Sequence, residues 1–327
     1  MKSFEYAEPQ TEAEAVALLA DNPATEVLAG GTDLVGLMKK MIVKPELVVN
    51  IMEIPTLQNI EQQQDGTVTI GAAVTLDEVL AHPYLTPYRA ITDAILGINS
   101  MQLQAQGTLG GEICQRPRCW FYRNGGDLFD DAQVLQGDNR YHAILDNQGP
   151  AKYVSSSRIA PALIALGAQL RIVGPKGTEE VIFAADFFRS PEHAGQRETI
   201  LDEDQLLTHI ILPDITGRVS GTYEVRHSEG PDFPMTAAAA VLELDTEGMV
   251  LDAQIVMGQV APLPWISYEA AQVLVGRSVT EQSATQAGHA AVAQATPLSE
   301  NEYKVQQAMV AVKRSILRAA GLETGGF

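Results

Sequence analysis

Cysteine is nearly missing: the 327 residues hold two, Cys114 and Cys119, at a C-x4-C spacing. That spacing is neither a zinc knuckle nor a redox C-x-x-C pair, and two thiolates cannot saturate a four-cysteine iron–sulfur cluster, so no disulfide framework and no metal site of the chain's own are expected. Long apolar runs are missing too. Nothing approaches the ~18 consecutive apolar residues of a membrane span, and the opening MKSFEYAEPQTEAEAVALL puts charge where a secretory signal needs an unbroken apolar core. The expected location is the cytoplasm, without a membrane partner. Positive charge is scarce: Lys+Arg 22 against Asp+Glu 41 gives a net charge of -19. Such a surface repels polyphosphate backbones and anionic headgroups, which excludes nucleic acid as a partner.

The signatures of hydrolytic chemistry are also absent. There is no H-E-x-x-H and no G-x-S-x-G elbow, and His82, His142, His193, His209, His227 and His289 are scattered, reading as surface or loop residues. No catalytic acid or base is expected. The G-x-G-x-x-G fingerprint of a nicotinamide-binding Rossmann unit is missing as well.

What remains is a chain long enough for two or three domains, with an apolar fraction of 46% that can build cores. Its first part reads β-α-β-turn-α-β: a strand at Ser3 to Tyr6, a helix capped by Thr11 with Glu14 three residues on, a strand at Thr25 to Leu28, a helix carrying Leu34, Leu37, Met38 and Met41, and a buried strand at Leu47 to Ile51. A second part, from Leu57 to about Gly217, has strands at Val68 to Ala72, Val181 to Ala184 and His209 to Leu212. Helices are expected to start at Thr75 and to run from Tyr88 to Leu96, and Pro161 to Ile172 reads as helix into strand. Within it, Gln115 to Tyr153 lacks any sustained period and reads as an irregular excursion over the surface. The third part has strands at Thr222 to Arg226, Ala237 to Leu244 and Leu251 to Met257, then helices at Tyr268 to Val275, Thr280 to Ala293 and Glu300 to Ala320. The expected divisions are 1–56, 57–217 with the excursion at 115–153, and 218–327.

Two glycine-rich turns carry the chemistry. Ala29-Gly30-Gly31-Thr32-Asp33-Leu34 lies between a strand and a helix, the arrangement that aims free backbone N–H groups at an anion, with Asp33 placed to cap the helix. Gly107-Thr108-Leu109-Gly110-Gly111 offers a second passage, and a dinucleotide with a long pyrophosphate bridge needs donors from more than one side. Arg116, Arg118 and Arg123, interleaved with Trp120, Phe121 and Tyr122, read as packing or a subunit interface.

These turns and their flanks resemble the FAD-binding medium subunits of molybdenum hydroxylases, the family of carbon monoxide dehydrogenase, xanthine dehydrogenase and 4-hydroxybenzoyl-CoA reductase. The resemblance runs through LAGGTDL at 28–34, IGAAVTLDEV at 70–79, GTLGG at 107–111, PALIALGAQL at 161–170, ADFF at 185–188, LDEDQLLTHIILP at 201–213, VMGQVAPLPW at 256–265 and the SENEYKVQQAMV helix. It implies an α+β protein in which two α/β subdomains of the vanillyl-alcohol oxidase type clasp FAD. A C-terminal subdomain of three antiparallel strands with a helical bundle completes that fold.

It implies, further, electrons arriving from a molybdopterin-binding large subunit through the 2Fe-2S clusters of a small subunit, and leaving to NAD or another acceptor. Carried over by position, Ala29, Gly30, Gly31, Thr32, Asp33 and Leu34 would hold the pyrophosphate. Thr108, Gly110 and Gly111 would line the flavin, and Leu206 or Leu207 would cover its ring. CQRPRCWFYRNG resembles the 4-hydroxybenzoyl-CoA reductase branch, whose inserted loop holds a 4Fe-4S cluster. Here only Cys119 matches a ligand position, and Ala151 stands at a cysteine position, so no cluster is expected. Glu112 stands where the family has Asn and Glu224 where it has Lys, which implies added negative charge near the flavin. A flavin-free structural subunit of the same complex is the alternative those departures leave open, and a self-standing flavin oxidase of the vanillyl-alcohol type is a third reading, for which no substrate-binding cap is found.

Overall fold

The computed structural model describes residues 1–193 and 196–324. Chain entry is fixed by Thr11, whose side chain accepts from Glu14 N at 3.2 Å while Glu14 Oε2 accepts from Gln10 N at 2.8 Å. From there α1 (Glu12–Asp21) buries Ala15, Val16 and Leu19. It packs on a three-stranded parallel sheet of β1 (Glu5–Ala7), β2 (Thr25–Leu28) and β3 (Leu47–Asn50), in which β3 is central and Leu47 faces both Glu5 and Thr25. Between β2 and β3 runs α2 (Leu34–Lys39). Side chains at Val48 and Val49 are buried because a central parallel strand is covered on both faces.

The second unit holds an antiparallel sheet in the order β4-β5-β8-β6-β7, made of β4 (Ile60–Gln62), β5 (Val68–Gly71), β6 (Gln169–Gly174), β7 (Thr178–Phe183) and β8 (Leu206–Leu212). Helices α3 (Leu76–Ala81), α4 (Arg89–Leu96), α5 (Met101–Gln106) and α6 (Leu109–Ile113) follow β5. The polar run Asn99 to Gln106, in which periodicity showed no helix, is helical from Met101 because Ser100 caps it through Leu103 N at 3.3 Å.

The segment 115–153 departs from a surface excursion. It contains α7 (Trp120–Arg123) and α8 (Asp131–Gln136), and its Tyr122, Leu128, Ala151 and Tyr153 form a small core with Leu37 of α2. Side chains rather than a ladder satisfy its backbone. Lys304, fully buried, donates to the carbonyls of Tyr141, His142 and Gln259 at 3.2, 2.9 and 2.8 Å. His142 is therefore a buried residue, 3% exposed, and not a surface histidine.

After α9 (Ala160–Leu166) and α10 (Ala184–Phe187), the C-terminal sheet has four strands rather than three: β9 (Arg218–Val225), β10 (Thr236–Leu244), β11 (Val250–Gly258) and the two-residue β12 (Trp265–Ile266), ordered β12-β11-β10-β9 and antiparallel. It is backed by α11 (Tyr268–Leu274), α12 (Glu281–Ala291) and α13 (Tyr303–Ala319). The alanine run of β10 reads without alternation because both of its faces are buried. Ala239 and Val241 enter the large core shared with α4 and α9, whereas Ala238, Ala240 and Leu242 enter the core beneath α12 and α13. Small side chains let helices approach both faces closely. The third unit is thereby packed against the second through one continuous core.

Candidate functional site

All eleven residues expected to hold the cofactor converge. Ala29, Gly30, Gly31, Thr32, Asp33, Leu34, Thr108, Gly110, Gly111, Leu206 and Leu207 line one cleft, with a cavity volume of about 200 Å³, at the junction of the parallel sheet and the five-stranded sheet. A smaller recess continues it past Thr32, Thr108 and Gly111 towards Glu112, Arg118, Arg158 and Phe233.

The two turns contribute differently. Among the described residues, the backbone N–H groups of Gly30, Gly31, Thr32, Asp33 and Leu34 donate to no protein acceptor, whereas the chain just beyond resumes helical bonding with Val35 N to Gly31 O at 3.2 Å. Gly31 has φ 71°, which a side chain resists. A run of free N–H groups bent in this way is a nest for an anion. In the second turn most donors are spent, the Thr108 N–H being left over among the described residues. Leu109 N bonds Val74 O at 2.9 Å, Gly110 N bonds Ala72 O at 2.9 Å, Glu112 N bonds Thr108 O at 2.9 Å, and Gly111 N bonds the Thr108 hydroxyl at 3.1 Å. That turn therefore supplies mainly shape, with the Thr108 N–H as its one backbone donor not bonded to protein among the described residues.

Gly30 has a role that its own turn does not reveal. A Cβ there would stand 1.7 Å from the Gln106 carbonyl oxygen, so its hydrogen lets the two turns meet. Gly110 is closed in the same way by Ala72, whose Cβ and carbonyl oxygen lie 2.7 and 2.8 Å from an added Cβ.

Asp33 does not cap α2, since it makes no side-chain cap bond. It instead accepts from Arg116 N at 2.8 Å and from Arg123 Nη1 at 2.6 Å, with Arg118 Nη2 at 3.2 Å. A carboxylate facing three donors of the next segment serves as the anchor of that segment to the first turn. The three arginine positions pack the segment onto Asp33, and Arg116 and Arg118 also line the cleft and its recess. Arg116 pairs with Glu198, which lines the cleft beside Arg197. Neither Arg197 nor Glu198 carried a signal in the sequence, being in an unpatterned loop. The alternation of arginine with aromatics after Gly111 was a signal, but it gave no direction.

Glu112 sits in the recess, its Oε1 accepting from Arg158 N at 2.6 Å and its Oε2 from Gln115 Nε2 at 2.7 Å. Desolvation pushes its carboxyl up to about 7, against the pull of Arg158 and Arg118. Glu224 lines neither the cleft nor the recess. It is buried behind Arg158, with Arg158 Nε 3.2 Å from its Oε1, and burial raises its pKa. The two acids therefore place less negative charge in the cleft than expected: one is half-protonated near neutrality and the other is paired.

A cleft between two small α/β units, built on an anion nest and continued by an α+β unit, defines a class, and comparison with known families states it. Residues 2–215 match the FAD binding domain in molybdopterin dehydrogenase, and residues 221–319 match the CO dehydrogenase flavoprotein C-terminal domain. The chain belongs to the molybdopterin dehydrogenase FAD-binding family. Among its relatives, the aldehyde oxidoreductase FAD-binding subunit PaoB of Escherichia coli (strain K12) is 28% identical over 93% of this chain and 94% of its own length. The carbon monoxide dehydrogenase medium chain of Afipia carboxidovorans is likewise 28% identical, over 97% of this chain and 96% of its own. In three dimensions the fold matches a chain of the carbon monoxide dehydrogenase of Hydrogenophaga pseudoflava with a TM-score of 0.75 and 26% identity, covering 97% of each chain. Among the described residues no helix is long and apolar enough to cross a membrane, and no three His, Cys, Asp or Glu side chains gather as a metal site.

Proposed function

We propose that this chain is the flavoprotein subunit of a molybdenum hydroxylase complex, in which FAD in the cleft relays electrons from the 2Fe-2S clusters of a small subunit to an external acceptor. A molybdopterin-binding large subunit carries the substrate chemistry. The observation that carries the reading is the cleft itself: five unpaired backbone N–H groups from Gly30 to Leu34 on one wall, with Leu206, Leu207, Ala72 and Gly110 on the others.

The residues fit the cofactor. A doubly charged pyrophosphate needs several N–H donors and no basic side chain, which is how an acidic chain can bind it. The apolar wall of Leu206 and Leu207, both 3% exposed, suits a flat ring and keeps water from one side of it. FAD, when bound, supplies the capacity to take up and release two electrons, and no acid or base of the chain need touch a substrate. The chain's own part is to hold the ring in place. Arg118, Arg158 and Glu112 in the recess fix the local charge, and Glu112 can take or release a proton near neutral pH.

The test is the visible spectrum of the purified chain before and after dithionite. Bands near about 370 and 450 nm that bleach, without a broad shoulder near about 400 nm, support FAD without a cluster. A colourless protein that takes up no added FAD refutes the reading and leaves a structural subunit in its place.

A further inference from the structure

Two cations line the recess, Arg118 and Arg158, and the second is the more deeply held, with a side chain only 3% exposed. Its Nη2 donates to Asp232 O at 2.6 Å, its backbone N–H donates to Glu112 Oε1 at 2.6 Å, and its guanidinium carbon stands 5.6 Å from the Phe233 ring centre. The preceding residue is fixed as well, the Ser157 hydroxyl accepting from Ala160 N at 3.0 Å and its carbonyl from Gln259 Nε2 at 3.1 Å. One donor is left over. Among the described residues Arg158 Nη1 meets no protein acceptor, and unlike Nε it is not sealed from the surrounding space. A guanidinium does not give up its proton in a protein, so a rigid donor of fixed positive charge is available to whatever enters the recess.

Its counter-ion is a weak one. Glu224 Oε1 lies 3.2 Å from Arg158 Nε, but neither oxygen of Glu224 makes a hydrogen bond, burial pushes the carboxyl up, and Arg226 and Arg318 draw on the same charge. Glu224 also lies outside the recess, so a group within it meets Arg158 first. Of the acids that line the recess, Asp33 is taken up by Arg118 and Arg123, and Glu112 is half-protonated near neutrality. A chain of net charge -19 thereby keeps a cationic recess.

We infer, on the proposed reading of the cleft as an FAD site, that the recess takes the pyrimidine edge of the flavin ring. Arg158 Nη1 donates to a ring carbonyl there and its charge raises the flavin's affinity for electrons, while Glu224 behind it moderates that charge. The dimethylbenzene edge of the ring has no acceptor for an N–H. The pyrimidine edge has two carbonyls, and the negative charge gained on reduction gathers at N1 and the carbonyl beside it, where a nearby cation tunes the potential. The recess is continuous with the cleft through Thr108 and Gly111, so one edge of a ring seated on Leu206 and Leu207 can enter it.

Two variants move the charge in opposite senses. Glu224→Gln leaves Arg158 uncompensated, and Arg158→Gln made in the Glu224→Gln background removes the cation without stranding a buried carboxylate. The midpoint potential of the bound flavin is read against a reference dye at about pH 6, where the Glu112 carboxyl, held up to about 7, is largely protonated. Glu224→Gln should tighten binding of reduced relative to oxidised FAD about tenfold, which raises the two-electron potential by about 30 mV. The double variant should fall about 30 mV or more below the parent protein. A merely loosened fold would not move the potential in opposite senses, and if the double variant does not fold, the rise in Glu224→Gln decides alone. An unmoved potential, or shifts of one sign in both variants, with FAD still bound by its band at about 450 nm, would overturn the role of Arg158 and leave the FAD site standing. A parent protein that takes up no FAD would overturn both.

Discussion

The two glycine-rich turns look alike as strings and act in different ways. The first, at Gly30 and Gly31, leaves a run of N–H groups free, and the second, from Leu109 to Glu112, spends its own on Ala72, Val74 and Thr108. Glycine allows close approach in both, yet what approaches differs. At Gly110, and at Gly30, it is another part of the protein, and among the described residues only the first turn keeps a consecutive run of donors for a ligand. A glycine motif therefore states that something comes near, while the hydrogen-bond inventory states what it is.

The contrast can be broken by adding one carbon at each turn. Gly30→Ala forces a Cβ onto the Gln106 carbonyl and separates the turns. It should lower FAD affinity by ~100-fold or more and stability by about 3 kcal/mol. Gly110→Ala, pressed against Ala72, should cost about 1–3 kcal/mol of stability but less than ~tenfold in FAD affinity. Equilibrium denaturation and flavin titration on the same samples decide it. Equal effects on affinity would erase the distinction between the turns.

Asp33→Ala sharpens the comparison from the other side, because it removes the anchor of Arg118 and Arg123 without touching a glycine. A loss of about 2 kcal/mol is expected, with the Arg123 guanidinium left partly buried and short of its acid. Protease cleavage within 115–153 should appear first if that segment depends on this anchor.

A smaller effect is expected at Glu112. Its folded carboxyl titrates at about 7, above its ordinary value, so the fold favours the protonated form. That stabilisation is complete below the unfolded pKa and is lost as pH rises through about 7. Glu112→Gln should match the parent protein at about pH 4.5 and exceed it by about 1–2 kcal/mol at about pH 8. A gap that narrows with rising pH would show that Glu112 is held as a carboxylate.

Much of this was legible in the chain. The opening unit follows from apolar spacing and from the Thr11 cap, and the residues of the cleft were reached through two glycine motifs and, for Leu206 and Leu207, through the family resemblance alone. Less legible were features fixed by distant partners. His142 and the 115–153 segment are buried because Lys304, some 160 positions on, satisfies their carbonyls, and no local period encodes that. Asp33 looked like a helix cap and became an anchor, since three donors from a later segment outweigh the single N–H a cap would serve. The alanine run of β10 hid its two-faced burial, as small residues lack the alternation that marks one wet face.

The central claim is that the first turn holds the pyrophosphate of FAD. Calorimetric titration of flavin-stripped protein with FAD and with riboflavin tests it most directly, since the two share a ring and differ in the phosphates. The account predicts FAD binding at least ~100-fold tighter than riboflavin, with Gly30→Ala abolishing the difference. Equal affinity for both, or no uptake of either, would contradict it.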